Sequence, residues 1–361
     1  MNMKYRKIVV KIGSNVLTRP DGGLDTTRIS AIVDQVAALQ KAGTEIVMVS
    51  SGAVAAGRSI AGEKGARLDS IGQRQLFSAI GQVQLINRYY NLFREHDIVC
   101  GQVLTTKESF STRGHYLNQR NCMRVMLDCG VIPVVNENDT ISVTELMFTD
   151  NDELSGLVST MMGAEVLIIL SNIDGIFNGD PLSPDSAVIR EIHAHSEDIS
   201  SYIHTRRSQF GRGGMITKSR IASKLADQGI EVIIANGKRD GILLDLIEGK
   251  DVVCTRFVPS MHPASGVKRW IAHSHSFAKG EIHVNRGAYE ALLQPRAVSL
   301  LPVGVEQIMG EFEKDDIAGI MFDGKQIGVG RVSCDSDKAR AMIGKRGTKP
   351  VIHYDYLYLE Q

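Results

Sequence analysis

Two lysines and two carboxylate–amide clusters are the residues of this sequence whose types and spacing could do chemistry. Lys11 ends a short apolar run just before Gly13, and Lys218 follows a glycine-rich loop. The clusters lie at 136–139 and 150–153. An ammonium group beside a glycine turn suits a phosphate, because ammonium and backbone N–H groups both bind anions. Together these residues favour phosphoryl transfer, in which catalysis is positioning plus electrostatic stabilisation.

Each feature also has a simpler interpretation. An Asn/Asp cluster is common in solvated turns, and a lysine at a strand end can point to solvent. A glycine turn before a small-residue helix can reflect close packing on a sheet. We favour anion sites because a strand followed by a glycine turn occurs twice early in the chain, at Lys7–Gly13 and at Glu45–Gly52.

Several other catalytic and binding motifs are absent from the sequence. Every Gly-Lys pair is followed by Arg, Asp or Gln, so the chain has no Walker A loop. No G-x-G-x-x-G opens a helix, and no Ser-His-Asp spacing is visible. The 5 cysteines are scattered without a CxxC pair, which argues against a zinc site and a disulfide framework.

Apolar strands and helical patterns alternate through the first part of the chain, which predicts an α/β fold with a mainly parallel sheet. In such sheets ligands bind beyond the carboxyl ends of the strands. The predicted strands are Lys7–Ile12, Glu45–Val49, Ile98–Leu104, Val131–Val135, Glu165–Leu170, Glu231–Ala235 and Asp251–Phe257. The predicted helices are Asp25–Lys41, Ser70–His96, Tyr116–Cys129, Glu153–Met162, Met215–Gln228 and Asp240–Glu248.

The last part of the chain has a different pattern. Short strand-like segments broken by glycines follow from about residue 279, which predicts a compact, mostly β domain. We therefore predict a catalytic domain at 1–258, a linker at 259–278 and a second domain at 279–361. A basic cluster at 338–349 is more typical of a solvated face than of an RNA-binding surface.

The numbers of charged residues and the lengths of the apolar runs narrow the class of protein further. Lys plus Arg and Asp plus Glu number 41 each, which argues against a dedicated polyanion binder. The apolar part of the N-terminal stretch is too short and too polar for a signal peptide. No apolar run is long enough to span a membrane. We expect a cytoplasmic protein without a membrane partner.

Five motifs, taken in order, resemble those of the amino acid kinase family. No single motif is specific, but the combination is. The motifs are KIGSN at Lys11–Asn15, SSGAVAAG at Ser50–Gly57, VIPVVNENDT at Val131–Thr140, TDNDELSG at Thr149–Gly156 and GRGGMITK at Gly211–Lys218. GEIHVNRGA at Gly280–Ala288 resembles the start of a PUA domain. The resemblance implies an αβα sandwich around a mainly parallel sheet, followed by a small PUA-like barrel.

The resemblance also implies an activity. This is the ATP-dependent phosphorylation of the γ-carboxylate of L-glutamate to L-glutamyl 5-phosphate, the first step of proline biosynthesis. ATP would be the co-substrate, and Mg²⁺ would be held mainly by ATP phosphates and water rather than by protein ligands. A homo-oligomer, dimeric or tetrameric, and feedback inhibition by proline are implied as well.

The sequence leaves two other functions open. One is a related kinase acting on N-acetylglutamate, aspartate or a nucleoside monophosphate. The carboxylates at 136–139 and 150–153 suit a substrate with a free ammonium group and would repel a monophosphate. The other is an RNA-binding protein that works through its C-terminal domain. Zero net charge and the lack of aromatic-rich basic strands argue against it.

Residue roles carry over from the resemblance position by position. Lys11 and Lys218 would stabilise charge on the transferring phosphoryl group, and Asp152 would orient both. Gly13 and Gly52 would donate backbone N–H groups. The glutamate-binding set would be Ser51, Gly52, Ala53, Asn136, Glu137, Asp139 and Asn151. The ATP-binding set would be Lys11, Gly13, Ser171, Asn172, Arg212, Gly213, Gly214, Met215, Ile216, Thr217 and Lys218.

The sequence departs from the family pattern at two places on the nucleotide side. Ser171-Asn172 stands where Thr-Asp is frequent, and Arg212 stands where Thr is frequent. The change from Asp to Asn removes a charge, so a metal or ribose contact at Asn172 carries less weight.

Overall fold

The computed structural model describes residues 4–111, 113–142, 148, 150–180, 183, 185–193, 214–261, 278–294, 298–346 and 349–359. The chain divides into two compact units, Met1–Thr106 with Arg120–Pro263 and Lys107–Gln119 with Ala264–Gln361. The predicted catalytic range 1–258 includes Lys107–Gln119, which the structure groups with the second unit. The predicted boundaries at 258 and 279 stay a prediction.

An eight-stranded sheet forms the centre of the first unit, in the order β3-β4-β2-β1-β5-β7-β8-β6. Its strands are β1 Lys7–Ile12, β2 Glu45–Ser50, β3 Cys100–Thr105, β4 Ile132–Glu137, β5 Val166–Ser171, β6 Glu191–His193, β7 Glu231–Asn236 and β8 Thr255–Val258. The six strands from β3 to β7 run parallel, whereas β8 is antiparallel to β7. The predicted mainly parallel α/β sheet is confirmed.

Nine helices of the described residues lie among these strands in the sequence. They are α1 Ser14–Leu17, α2 Thr26–Lys41, α3 Ala53–Ala61, α4 Ser70–Arg94, α5 Glu108–Ser111, α6 Arg113–Asp128, α7 Asn151–Met162, α8 Met215–Asp227 and α9 Ile242–Ile247. The α2 helix buries Ile29, Ile32 and Leu39 in one apolar core with Ile8 and Val10 of β1. Burying such a side chain contributes about 1.5–3 kcal/mol.

The α3 and α4 helices approach each other at two glycines. A Cβ atom on Gly57 would lie 1.7 Å from the Phe77 carbonyl oxygen, and one on Gly81 would lie 1.7 Å from the Ala53 carbonyl oxygen. Only glycine leaves room for these two backbones, which explains the small-residue composition of α3. The start of α3 is therefore fixed relative to α4.

The strand order places β1 between two pairs of strands whose ends carry polar residues. On one side, β2 and β4 end at Ser50 and Glu137, and on the other, β5 and β7 end at Ser171 and Asn236. Lys11 pairs in register with Val49 of β2 and with Ile169 of β5. A ligand group above β1 would therefore lie within reach of both sides.

The second unit contains a five-stranded sheet in the order β10-β9-β11-β12-β13. Its strands are β9 Gly280–Val284, β10 Val305–Gly310, β11 Ile317–Phe322, β12 Lys325–Val332 and β13 Ile352–Leu359. The predicted mostly β character is confirmed. Two helices, α10 Arg286–Leu292 and α11 Ser336–Met342, were not predicted, because seven residues are too few to show a helical period.

Among the described residues, no helix combines the length and the apolar character needed to cross a membrane.

Candidate active site

Asp152 holds two lysines from distant parts of the chain. The Lys11 Nζ atom lies 2.6 Å from Oδ1 of Asp152, and the Lys218 Nζ atom lies 2.8 Å from Oδ2. The Asp152 side chain is only 1% exposed. Lys11 comes from β1, Asp152 from the first turn of α7, and Lys218 from the first turn of α8. The structure therefore joins the three residues that the sequence assigned to catalysis.

The charges of this cluster explain why the Asp152 carboxyl is ionised. Burial would raise the pKa of this carboxyl, but the ammonium groups of Lys11 and Lys218 outweigh burial and hold the pKa below its usual range. The ionised Asp152 and the two lysines carry one net positive charge together. Such a cluster can stabilise the negative charge of a phosphoryl group.

Asp150 forms the N-cap of α7. Its Oδ1 atom accepts hydrogen bonds from the backbone N–H groups of Asp152 at 2.9 Å and Glu153 at 3.0 Å. Burial, followed by the charge of Asp152, raises the pKa of Asp150. This cap fixes the first turn of α7, and with it the backbone that presents Asn151 and Asp152.

Asn151 connects the ends of two strands. Its Nδ2 atom lies 2.9 Å from Oδ1 of Asn136, 3.0 Å from Oγ of Ser51 and 3.1 Å from the Ser50 carbonyl oxygen. Asn136 belongs to the end of β4, and Ser50 ends β2. The two predicted clusters, at 136–139 and 150–153, therefore meet beside β1.

The carboxylates of Glu137 and Asp139 are held by α4. Arg74 donates from Nε to Oδ1 of Asp139 at 2.6 Å and from Nη2 to Oε2 of Glu137 at 3.0 Å. Ser78 lies 3.4 Å from the second Asp139 oxygen, and the backbone N–H of Phe148 donates to Oε1 of Glu137 at 2.9 Å. Both acidic residues of the predicted glutamate site thus have fixed side chains.

The start of α3 has the geometry expected of an anion site. Gly52 adopts a left-handed conformation with φ 100°, which turns the chain from β2 into the helix. Ala53 begins the helix and is buried. The first N–H groups of an α-helix have no acceptor within the helix, so they remain available to an anion. The role of Ser51, Gly52 and Ala53 in substrate binding stays a prediction.

The predicted nucleotide side includes the end of β5 and the start of α8. Ser171 ends β5 and is followed by Asn172, and their side-chain oxygens lie 3.5 Å apart. Gly214 precedes α8, and the first helical residues are Met215, Ile216 and Thr217. Arg212 and Gly213 lie outside the described residues.

Gly13 differs from its expected role. Its backbone N–H donates to the Leu170 carbonyl oxygen at 3.0 Å and is therefore engaged within the sheet, whereas the sequence suggested donation to a phosphate. A Cβ atom at this position would lie 3.8 Å from Nζ of Lys11. The nearest atom to that Cβ would be the Leu170 carbonyl oxygen, at 3.2 Å, so glycine suits the close approach of β5 at this position.

Sequence reasoning missed two sets of residues near the site. On α4, Arg74, Ser78 and Gln82 repeat every four residues and face the 136–139 loop, and this polar stripe could have been noticed. On the nucleotide side, the Asn236 amide donates to Asp174 at 3.2 Å. Asn236 follows the apolar run of β7 directly, as the Asn136 cluster follows that of β4.

The expectation that Mg²⁺ is held mainly by nucleotide phosphates and water stays a prediction. Both oxygens of Asp152 are ion-paired with lysines, and the described residues contain no group of three or more candidate metal ligands. Mg²⁺ needs few protein ligands when phosphates and water complete its shell.

Comparison with known proteins agrees with this geometry. The sequence pattern of the amino acid kinase family matches residues 6–236, and that of the PUA domain matches residues 280–354. The chain therefore belongs to the amino acid kinase family. It is 65% identical to the glutamate 5-kinase of Bacteroides thetaiotaomicron, over 100% of both chains. It is 47% identical to the glutamate 5-kinase of Chlorobaculum tepidum, over 98% of each.

Solved structures share the fold at low sequence identity. A carbamate kinase from Giardia lamblia bound to AMP-PNP superposes with a TM-score of 0.51 at 17% identity, covering 71% of this chain and 99% of that one. An isopentenyl phosphate kinase gives a TM-score of 0.50 at 20% identity, covering 70% of this chain and 100% of that one.

Proposed function

We propose that this chain is an ATP-dependent kinase that phosphorylates the γ-carboxylate of L-glutamate. The product is L-glutamyl 5-phosphate, and the reaction is the first step of proline biosynthesis. The observation that carries the proposal is the Lys11–Asp152–Lys218 cluster above β1, with the Asn136 and Asn151 pair beside it. The full-length similarity to glutamate 5-kinases supports the choice of acceptor.

The reaction needs no general base. A γ-carboxylate oxygen of glutamate attacks the γ-phosphorus of ATP, the bond from that phosphorus to the β–γ bridging oxygen breaks, and ADP leaves. The nucleophile is already ionised at neutral pH, because glutamate carboxyls titrate near pH 4. This agrees with an Asp152 that is committed to two lysines, and with a site built from cations rather than from a base and a nucleophile.

Lys11 and Lys218 stabilise the charge that spreads over the oxygens of the transferring group. Asp152 keeps the two ammonium groups together, since without it they would repel each other. Bound Mg²⁺ would neutralise charge on the β- and γ-phosphates. The α-ammonium of glutamate lies near the carboxylates of the 136–139 loop, and its γ-carboxylate points towards Lys11.

The nucleotide occupies the β5 and β7 side of the sheet. Ser171, Asn172 and the first turn of α8 contact ATP in this proposal, so the phosphate chain extends over β1 towards Lys11. The Asn236–Asp174 hydrogen bond shapes the same edge. This arrangement puts donor and acceptor on opposite sides of the lysine pair.

The direct test is turnover with four acceptors. The purified chain is incubated with MgATP and L-glutamate, N-acetylglutamate, L-aspartate or UMP, and ADP release is measured. Trapping with hydroxylamine detects the acyl phosphate as a hydroxamate. We expect turnover with glutamate. If glutamate were inert while another acceptor turned over, the proposed substrate would be wrong.

Three further properties belong to the proposal. We propose a homo-oligomer, dimeric or tetrameric, that proline inhibits by feedback, as the family resemblance implies, and a cytoplasmic location. Light scattering measures the size of the oligomer, and cell fractionation shows the location. The inhibition is measured by following the kinase rate as proline is added. A role of the PUA domain in RNA binding is the weaker alternative. Arg340 of its basic cluster is already ion-paired with Asp337 at 2.9 Å.

A further inference from the structure

Arg74 is the cation that α4 brings to both acidic residues of the 136–139 loop. Its Nε atom donates to Asp139 at 2.6 Å and its Nη2 atom donates to Glu137 at 3.0 Å, and Nη2 contacts Asp139 as well. The Glu137 and Asp139 side chains are 4% and 8% exposed, and that of Arg74 is 19% exposed. A planar guanidinium can hold two carboxylates at fixed angles, which an ammonium group cannot do.

The charge balance of this group is suited to an ammonium ligand. Two buried carboxylates without a cation would repel each other and pay for desolvation. With Arg74 the three side chains carry one net negative charge. An amino-acid substrate brings one α-ammonium group, which neutralises the remainder. A substrate without that ammonium leaves the negative charge uncompensated.

We propose that Arg74 is a positioning residue for the acceptor amino acid, acting through Glu137 and Asp139. It fixes the two carboxylates in place. The three side chains together then carry one net negative charge, which one ammonium group balances. The inference rests on the proposed function, because it takes the acceptor to be an amino acid with a free α-ammonium.

Neighbouring contacts direct the effect of Arg74 to the acceptor side. Gln75 donates to the Thr140 carbonyl oxygen at 2.8 Å, and Gln82 lies 3.3 Å from the Glu137 carbonyl oxygen, so α4 holds the loop backbone as well. Asp152 is held separately by its two lysines. Loss of Arg74 should therefore disturb acceptor binding more than the phosphoryl-transfer step.

The test compares three variants of the full chain. Arg74→Met removes the charge and keeps the stem, Arg74→Lys keeps a charge without the planar fork, and Arg88→Met is the matched control. Arg88 is an exposed arginine of the same helix. We expect Arg74→Met to raise the KM for glutamate about 10- to 100-fold, the size of losing charged hydrogen bonds. The KM for ATP should change less than about twofold, and Arg74→Lys should recover part of the loss.

A binding measurement covers the case in which Arg74→Met is too slow to assay. Ligands that bind the folded chain raise its melting temperature. Glutamate should stabilise the wild type and Arg88→Met but not Arg74→Met, whereas MgATP should stabilise all three. An unchanged KM and an unchanged glutamate-induced shift in Arg74→Met would overturn the inference. Equal losses for glutamate and ATP would also overturn it, because they would show a general structural role.

The two proposals fail in different ways. If wild-type chain turned over another acceptor acid and not glutamate, the proposed substrate would be lost. If that acceptor carried a free α-ammonium, as L-aspartate does, the same KM and melting comparisons would be made with it, whereas an acceptor without that ammonium would overturn the inference as well. A KM for the ammonium-bearing acceptor that did not depend on Arg74 would overturn the inference.

Discussion

The side-chain amide of Asn151 lies 2.9 Å from the side-chain oxygen of Asn136, and this hydrogen bond joins the start of α7 to the end of β4. The two residues are fifteen positions apart in the sequence. They belong to the two polar clusters that the sequence singled out. The same amide nitrogen lies 3.0 Å from Ser51, so one donor contacts three residues of the proposed acceptor site, Ser50 included.

Replacement of this donor should affect the acceptor more than ATP. In Asn151→Ala, the oxygens of Asn136, Ser51 and Ser50 lose a shared hydrogen-bond donor. We expect the KM for glutamate to rise about tenfold or more, the cost of one to two lost polar contacts. Steady-state kinetics with each substrate varied in turn measure the effect.

A matched substitution lies on the other side of β1. Asn236 lies at the end of β7, and Asn236→Ala removes the side-chain amide that donates a hydrogen bond to Asp174. It should raise the KM for ATP and leave the KM for glutamate within about twofold. If the two variants had the same effect on both substrates, the assignment of the β4 side to the acceptor and the β7 side to the nucleotide would be contradicted.

Loss of charge at Asp152 should slow the chemical step. In Asp152→Asn the ion pairs with Lys11 and Lys218 are lost, and two ammonium groups remain close together without an anion. We expect kcat to fall at least about 100-fold, the usual size for one electrostatic element of an active site. A rapid-quench measurement of phosphoryl transfer shows the loss directly.

Strand-specific controls separate this effect from a general loss of charge. Lys11→Met should resemble Asp152→Asn, whereas Lys7→Met, at the start of the same strand, should keep activity. Lys7 pairs with Glu45 at 2.8 Å, away from the site. The double variant Lys11→Met with Asp152→Asn should be no slower than the slower single variant, because the residues act as a unit. Additive losses would contradict that coupling.

The parts of the structure that could be predicted are those with a strong local signal. The β5 run is apolar from Val166 to Leu170, and β1 is apolar and β-branched apart from its two lysines, as expected of strands buried on both faces. The glycine turn after β2 and the Asp/Asn clusters indicated where the site would lie. The joining of Lys11, Asp152 and Lys218, however, came from the resemblance to a family and not from spacing, because their contacts span most of the first unit.

Other parts depend on contacts between distant residues and could not be predicted. Arg74 lies more than sixty positions before Glu137, and nothing near Arg74 in the sequence indicates which carboxylates it meets. The Gly13 N–H is taken by Leu170 only because β5 lies beside β1. The three-residue β6 strand is too short for an alternating pattern to identify it.

The N-cap of α7 gives a prediction about stability and pH. Burial and the neighbouring Asp152 raise the pKa of Asp150, so the folded chain favours the protonated carboxyl. The stability from this preference is complete below the unfolded-state pKa of about 3.9, and it is lost as pH rises through the folded-state value. Asp150→Asn keeps an oxygen that can cap the helix and cannot ionise.

The melting temperature of Asp150→Asn relative to wild type should therefore increase as pH is raised from about 4 to 8. Each kcal/mol of stability changes the melting temperature by about 2–4 °C in a domain of this size. Asp69→Asn is the control, because Asp69 caps α4 at an exposed site, accepting from Gly72 at 2.7 Å. A difference that did not vary with pH would contradict the raised pKa of Asp150.

The glycine contact between α3 and α4 gives a prediction that separates packing from chemistry. In Gly81→Ala the new Cβ atom would lie 1.7 Å from the Ala53 carbonyl oxygen, so the two helices must move apart. Overpacking of this kind costs about 1–3 kcal/mol. Because Ala53 begins α3 and Arg74 lies on α4, the movement should also raise the KM for glutamate.

A second glycine provides the control for Gly81→Ala. Gly287 lies inside α10, where a Cβ atom would be 3.5 Å from the Asn285 side-chain oxygen, an ordinary contact. Gly287→Ala should therefore be neutral or stabilising by about 0.4–1 kcal/mol, because alanine restricts the unfolded chain. Thermal unfolding and glutamate kinetics of both variants make the comparison. If Gly81→Ala were as stable and as active as Gly287→Ala, the close approach of α3 and α4 would not be what sets the acceptor side of the site.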